Sequence, residues 1–468
     1  MKFNFSRMKV PNTYAILTSL LVLVAALTWI LPASRYGTHE VAGRQVVDPA
    51  TFAYVEAAHQ GVQVVLMAPI RGFVDAAEII GFVLMVGGVF GIIQATQSIT
   101  AGVRALAAAY QVSTVVRLGL IPICMLLFSL GGAVYGMSEE TIPFILIFVP
   151  MAYALGYDSI TGVAIPFVGA GAGFAGAFLN PFTVGVAQSI AEVPLFSGLG
   201  YRFFCWVIIT TVAITYVMRY AAKVKRNPQS SRTFESDQAQ RSRIMAESGA
   251  ESAEMTTTHR AVLLIFLLGM LLLVFGVLRL DWYIQEIAGL FLLIGLAVAL
   301  AGRLSVDRTT DAFVSGAQAL VGTALVIGLA RGILVIARDG RIIDTILHAL
   351  SGLVEGFHPV FSAQMMFIVQ TFLNFFVPSG SGQAALTMPI MAPLADLVGV
   401  ARQTAVLAFQ FGDGFSNLII PTSGVLMGAL SLAGVPWDKW ARWVLPLELM
   451  FLVVGLLLLV PAVLTGWH

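Results

Sequence analysis

Nine stretches of this chain, at about 14–32, 79–97, 160–190, 199–221, 261–279, 284–302, 317–337, 403–432 and 443–466, are apolar. Each is close to or beyond the roughly 20 residues an α-helix needs to cross the hydrocarbon of a bilayer. No water reaches that region to satisfy backbone N–H and C=O groups, so continuous apolar segments of this length fold there as helices. Over 468 residues 58% are hydrophobic and only 11% are charged, less than half the charge of an ordinary soluble domain. The expected fold class is therefore all-α and polytopic, with membrane lipids as its surroundings. A formal net charge of +1 argues against a nucleic-acid partner. Cys124 and Cys205 both lie in apolar segments, which removes a disulfide framework or a cysteine-rich metal site. The histidines stand near segment ends without ligand spacing, so no transition-metal site is indicated. Met1 to Leu31 starts basic like a signal peptide, but its apolar run is long enough to span and reads as an uncleaved first helix.

Two further apolar regions, 113–155 and 361–398, are each interrupted near the middle by glycine and serine. Lys2, Arg7 and Lys9 place the N-terminus in the cytoplasm, and Arg104, Arg117, Lys223, Lys225, Arg226, Arg303, Arg308, Lys439 and Arg442 fall inside under one arrangement only. In that arrangement the interrupted regions do not cross. Region 113–155 dips in from the cytoplasm and returns, and 361–398 does so from outside. Residues 33–60 become an external loop, the polar segment 222–258 a cytoplasmic linker, and His468 an external terminus. Asp158 and Asp396, at the hairpin exits, are expected to be solvated.

An offset of about 240 residues brings "FVDAA" at Phe73 onto "FVSGA" at Phe313, "SEETIP" ending at Pro143 onto "AALTMP" ending at Pro389, and "AQSIAEVP" at Ala187 onto "ALSLAGVP" at Ala429. The two copies enter the membrane from opposite sides, so the repeat is inverted. Its expected division is an N-terminal helix and loop (1–60), a first repeat (61–221), the linker (222–258), two scaffold helices (259–302) and a second repeat (303–468). Inverted repeats with broken helices are the plan of secondary transporters, whose sites form where the breaks meet. Four breaks are expected: the hairpin tips "YGMSEET" (135–141) and "PSGSGQ" (378–383), and the mid-span breaks "GAGAGFAGAFLNP" (169–181) and "FGDGFSNLIIPTSG" (411–424). Non-helical backbone at this depth must line a cavity or be buried in protein. Gly169 and Gly173 also have the spacing of close helix packing. The run Gly171-x-Gly173-x-x-Gly176 has no strand before it and is not a dinucleotide fingerprint.

Freed carbonyls and hydroxyls at these breaks can replace the water around a small cation, and exposed helix N-termini favour an anionic group. The substrate-binding candidates are Ser138, Glu139, Glu140, Thr141, Asn180, Arg331, Ser379, Ser381, Gln383, Asn417 and Thr422. Asp413, Ser416, Ser379, Gly380 and Ser423 are the candidates for the coupling ion, sodium or a proton, with Asp413 first because an intramembrane acid is costly to keep. Arg331 suits a two-pronged grip on a carboxylate, or else pairs with an acid to hold two helices. With acids Glu139, Glu140 and Asp413 nearby, the balance of sign favours an amino acid, especially a basic one, over a C4-dicarboxylate. No cofactor is expected. No phosphate-loop, nucleophile-elbow or His-Glu-x-x-His motif occurs, so ATP-driven pumping and a membrane-embedded enzyme are disfavoured.

A polar hairpin tip, a Thr-x-Pro helix and a span broken by Gly-Asp-Gly and Ser-Asn-x-x-x-Pro, together with "LARGILVIARDGRIIDTIL" (329–347), resemble the ion transporter superfamily. The chain is similar within it to the YfcC-like proteins, grouped with anaerobic C4-dicarboxylate carriers and basic amino acid antiporters. That resemblance implies a homodimer in the inner membrane that works as a symporter or antiporter by an elevator motion, a hairpin-bearing part sliding on a scaffold. The stretches 14–32, 199–221, 261–302 and 443–466, unbroken and leucine-rich, are the expected scaffold. Sodium-coupled dicarboxylate relatives carry Ser-Asn-Thr at their tips; here Ser138-Glu139-Glu140-Thr141 and Ser381-Gly382-Gln383 stand instead.

Overall fold

The computed structural model describes residues 13–41, 44–238, 255–280, 282–354 and 357–467. Lys2, Arg7, Lys9, His468 and the linker's middle, 239–254, lie outside the described residues.

The first helix, α1 (Thr13–Ile30), leads not into an irregular loop but into an antiparallel hairpin, β1 (Ser34–Val41) and β2 (Arg44–Tyr54), with Ser34 opposite Tyr54 and Thr38 opposite Val47. The all-helical expectation fails here for a physical reason: outside the hydrocarbon water can satisfy strand edges, and β2 is rich in the β-branched and aromatic residues that favour strands. Next come α2 (Val62–Asp75), α3 (Ala77–Ala95) and α4 (Ser98–Val112). The first interrupted region is the pair α5 (Thr114–Tyr135) and α6 (Thr141–Ala154). Then α7 (Ser159–Ala175) breaks, resumes as a π turn at Pro181–Gly185 and α8 (Val186–Ile190), and is followed by α9 (Leu199–Arg226).

The second half has α10 (Thr257–Leu280), α11 (Ile284–Ala301), α12 (Val306–Ala319), α13 (Val321–Asp339) and α14 (Ile343–Ser351). The second interrupted region is α15 (Pro359–Asn374) with α16 (Gly380–Leu397), and α17 (Arg402–Ser416) breaks before α18 (Gly424–Ala433) and α19 (Trp437–Leu464). Among the described residues seven helices are long and apolar enough to cross a membrane. The apolar stretches 160–190 and 403–432 are each split, as the glycine-rich breaks predict. Helices α2, α4 and α12 escape a hydropathy reading because they are short and amphipathic.

The helices pack as two groups. In the first, α2 crosses α13 and α3 crosses α12 so closely that a methyl group on Gly72 would lie 2.2 Å from the Gly328 carbonyl oxygen, and one on Gly91 2.1 Å from that of Ala312. Helices α1, α10 and α11 complete this group. In the second, α5 lies on α7, α15 on α17, and α7 on α17, again through glycine: Gly414 would meet the Ala175 Cα at 2.4 Å if it carried a methyl group. Helices α9 and α19 belong to this second group, packing on α7, α17 and each other. The expected scaffold had included 199–221 and 443–466, which here pack on α7 and α17. A leucine-rich sequence shows that one face meets lipid; it does not say which helices hold the other face. Here Cys205, Ile209, Ala213 and Val217 of α9 are buried inward.

After α9 the chain folds back onto the start of α7. Asp237 accepts hydrogen bonds from the Ser159 amide (3.0 Å) and hydroxyl (2.7 Å) and from Tyr153 (3.1 Å). Asp158 caps α7 by accepting from the Thr161 amide at 2.9 Å, and takes further bonds from Tyr220 and Ser231. Asp158 is therefore buried rather than solvated. Asp396 is exposed and paired with Arg402.

Candidate functional site

Four interruptions converge on one cavity of about 390 Å³. At the first tip Gly136 turns the chain with a φ of +78°, and α6 begins after Glu140. The Glu140 carboxylate folds back to accept from the Ser138 amide at 3.0 Å, and Thr141 donates to the Ser138 carbonyl at 2.6 Å. The first amides of α6 are thus taken by the chain's own backbone, that of Thr141 donating to the Ser138 carbonyl at 3.0 Å and that of Ile142 to the Glu139 carbonyl at 3.1 Å, with the acids Glu139 and Glu140 just before the helix. The second tip is built differently. Ser379 precedes α16 without a side-chain cap, and the first intrahelical bond is from the Gln383 amide to the Ser379 carbonyl, 2.7 Å. The amides of Gly380, Ser381 and Gly382 have no partner among the described residues. They form an open helix N-terminus at the cavity wall, the usual seat of an anionic group.

Of the expected site residues, Ser138, Glu139, Glu140, Thr141, Arg331, Ser379, Gly380, Ser381, Asn417, Thr422 and Ser423 line the cavity. Asn180, Gln383, Asp413 and Ser416 do not. Asn180 caps the π turn, accepting from the Phe182 amide at 2.9 Å, and sits behind Gly136. Gln383 lies one turn into α16, where helical rotation points it at Gln370, whose side-chain oxygen it bonds at 2.7 Å. Ser416 donates to the Gly412 carbonyl at 2.7 Å and accepts from Asn374 at 2.8 Å.

Asp413 is fully buried directly behind the second tip: a methyl group on Gly380 would meet its Oδ2 at 2.8 Å and the Thr183 side chain at 2.4 Å. That oxygen has no hydrogen-bond partner, and neither have the buried oxygens Thr183 Oγ1, Asn374 Oδ1 and Thr422 Oγ1. Buried polar atoms are almost always satisfied; of these, Thr183 meets Asp413 at Gly380 and Asn374 donates to the Asp413 backbone carbonyl at 3.0 Å, and oxygens are the ligands a small hard cation takes. Asn417 restrains the acid, donating to the Asp413 backbone carbonyl at 2.8 Å and to its Oδ1 at 3.3 Å.

Sequence reasoning missed Asp75 and Glu78, at the bend between α2 and α3, and Phe182 and Tyr283, whose ring centroids stand 4.9 Å apart; all four line the cavity. Asp75 stood in the repeated phrase "FVDAA", and the reasoning that singled out Asp413, an acid inside an apolar stretch, applies to it equally. Arg331 is held by Asp75 through its Nε, and Arg338 reaches the other Asp75 oxygen at 3.1 Å. Arg331 thus lines the cavity and is also paired with an acid. The walls carry four carboxylates, Asp75, Glu78, Glu139 and Glu140, and the single guanidinium of Arg331.

The model of the C4-dicarboxylate anaerobic carrier family, DcuC, matches residues 10–464. An Escherichia coli K12 protein named "Putative basic amino acid antiporter YfcC" is 36% identical, over 99% of this chain and 98% of that one. A Haemophilus influenzae protein described as uncharacterized is 30% identical, over 98% and 97%. Among solved structures, the YdaH transporter of Alcanivorax borkumensis aligns over 98% of this chain and 99% of its own, with 16% identity and a TM-score of 0.44. Family and named relatives point to a transporter rather than an enzyme, a multi-pass protein of the bacterial inner membrane.

Proposed function

Because this chain belongs to the C4-dicarboxylate anaerobic carrier family, we propose that it is a secondary transporter, and that its cargo is an amino acid with a cationic side chain rather than a dicarboxylate. The observation that carries this reading is the inequality of the two tips. A dicarboxylate needs two anion seats. Of the two tips, that of α16 leaves the Gly380, Ser381 and Gly382 amides without a partner among the described residues, whereas the first α6 amides are taken by the Ser138 and Glu139 carbonyls and the acids Glu139 and Glu140 stand beside them at the cavity. A basic amino acid matches both ends: its carboxylate meets Arg331 and the α16 amides, and its cationic end meets the acids of the first tip. The name of the Escherichia coli relative agrees with this reading, and the family's own name favours the dicarboxylate.

The coupling ion, sodium or a proton, is assigned to Asp413 with Thr183, Thr422 and the Ser379–Gly380 backbone. The hairpins and broken helices, with α9 and α19, slide as one body against the group containing α2, α3, α12 and α13.

Purified protein in vesicles decides between the cargoes. Labelled arginine and ornithine should be taken up and should exchange with each other, while succinate and malate should not compete. Competition by succinate or malate, with no response to any amino acid, would reverse the assignment.

A further inference from the structure

We infer that Asp75 is a positioning residue: it holds Arg331 by the inner nitrogen of the guanidinium and so presents the two terminal nitrogens as a fork for the carboxylate of the cargo. The inference rests on the amino-acid reading of the cavity given above.

Asp75 is the last residue of α2, where the helix dipole disfavours a negative charge. It is kept there by two guanidinium groups, Arg331 on Oδ2 and Arg338 on Oδ1. Both of its oxygens are therefore committed. Arg331 is hydrogen-bonded at Nε only; its terminal nitrogens have no hydrogen-bond partner among the described residues, although the side chain lines the cavity with Glu139 as a further charged neighbour. A carboxylate is gripped by two parallel N–H donors, and an arginine fixed at Nε loses less side-chain freedom when it makes that grip.

The backbone explains why the geometry is tight. Gly72 and Gly328 stand one helical turn before Asp75 and Arg331, and α2 and α13 touch there: a methyl group on Gly72 would lie 2.2 Å from the Gly328 carbonyl oxygen and 2.4 Å from the Gly332 nitrogen. The crossing leaves no slack between the acid and the arginine it orients. On the far side Arg338 holds Asp75 alone, so the acid is anchored from a direction that does not compete for the fork.

The test uses the purified full chain in detergent, with L-arginine and L-argininamide as probes of the carboxylate end and L-citrulline as a probe of the cationic end. The wild type should prefer arginine to its amide by about tenfold or more, the discrimination expected of a fork that loses one charged acceptor. Arg331→Lys should abolish that preference. Asp75→Asn should abolish it too, while the preference for arginine over citrulline stays unchanged, a split that a purely structural role would not produce. Asp75→Glu keeps the charge but moves it, and should give an intermediate preference; it also serves if Asp75→Asn does not fold. If Arg331→Lys erases the preference and neither Asp75 variant alters it, the positioning role is overturned and the amino-acid reading stands. If Arg331→Lys itself keeps the preference, the fork and the positioning role are overturned and the amino-acid reading stands; if the wild type binds neither probe, the amino-acid reading fails and this inference with it.

Discussion

A methyl group on Gly173 would lie 1.8 Å from the carbonyl oxygen of Ser129, so the crossing of α5 over α7 exists only with glycine at that point. Gly173→Ala should therefore cost about 1–3 kcal/mol through overpacking and lower the melting temperature in detergent. Gly200→Ala, with nothing within 4 Å of the added carbon, serves as the control that should not move it. The Gly169/Gly173 spacing was legible as close packing because that signal is local. The partners of Asp158 were not legible, since Tyr220 and Ser231 reach it from 62 and 73 residues away. Nor was the division of polar residues between the cavity and the protein behind it. Ser379 and Ser381 face the cavity and Gln383 does not, because each helical residue turns the side chain by about 100°. Asp413 needs its acidity rather than its length for the role assigned to it. Asp413→Asn should fold and still admit cargo, with transport no longer driven by sodium or pH gradients; gradient-driven uptake equal to that of the wild type would remove this acid from coupling.

Glycine, serine and proline declare backbone interruptions directly, which is why the four breaks were legible as elements: the non-helical segments fall at 136–140, 176–180, 375–379 and 417–423, within a few residues of the expected places. The β-hairpin and the short amphipathic helices were not, because neither is long or apolar enough to register as a span. The fold-back after α9 was hidden for the opposite reason, its polar composition reading as a solvated linker. Burial of Asp237 beside Asp158 pushes its carboxyl above the ordinary value in spite of its hydrogen bonds. An acid raised in the folded protein stabilises it most when protonated, so this contribution shrinks as pH climbs from about 4 through the raised value. The melting temperature of the wild type relative to Asp237→Asn should therefore fall over that range. A difference that grows with pH would contradict the placement of this segment.

At the scale of the whole molecule, the sequence carries the membrane class and the number of interruptions, because each depends on composition and spacing alone. It does not carry the division into two packing groups, which depends on the hidden faces of α9 and α19. The groups meet where α18 lies on α13: an added carbon on Gly428 would lie 2.8 Å from the Thr323 side chain, and one on Gly424 3.5 to 3.6 Å from Ile327. If the groups slide during transport, oxidation of an Ile327→Cys, Gly424→Cys pair, in a chain without Cys124 and Cys205, should arrest uptake, and reduction should restore it. Full uptake with the pair oxidised would mean that this contact does not move.

The acids Glu139, Glu140 and Asp413 belong to one packing group and Arg331 and Asp75 to the other, so if the groups slide as proposed these charges part company. A sliding body that carries unbalanced carboxylates moves charge through the membrane field, at about 2.3 kcal/mol per charge for each 100 mV. With the cytoplasm negative and these acids ionised, such a body would be drawn outward when unloaded. A cationic cargo offsets part of that charge and eases the inward stroke. If the groups slide as proposed, the resting potential would itself return the empty carrier to face the medium, and uptake should then depend on membrane potential as well as on concentration.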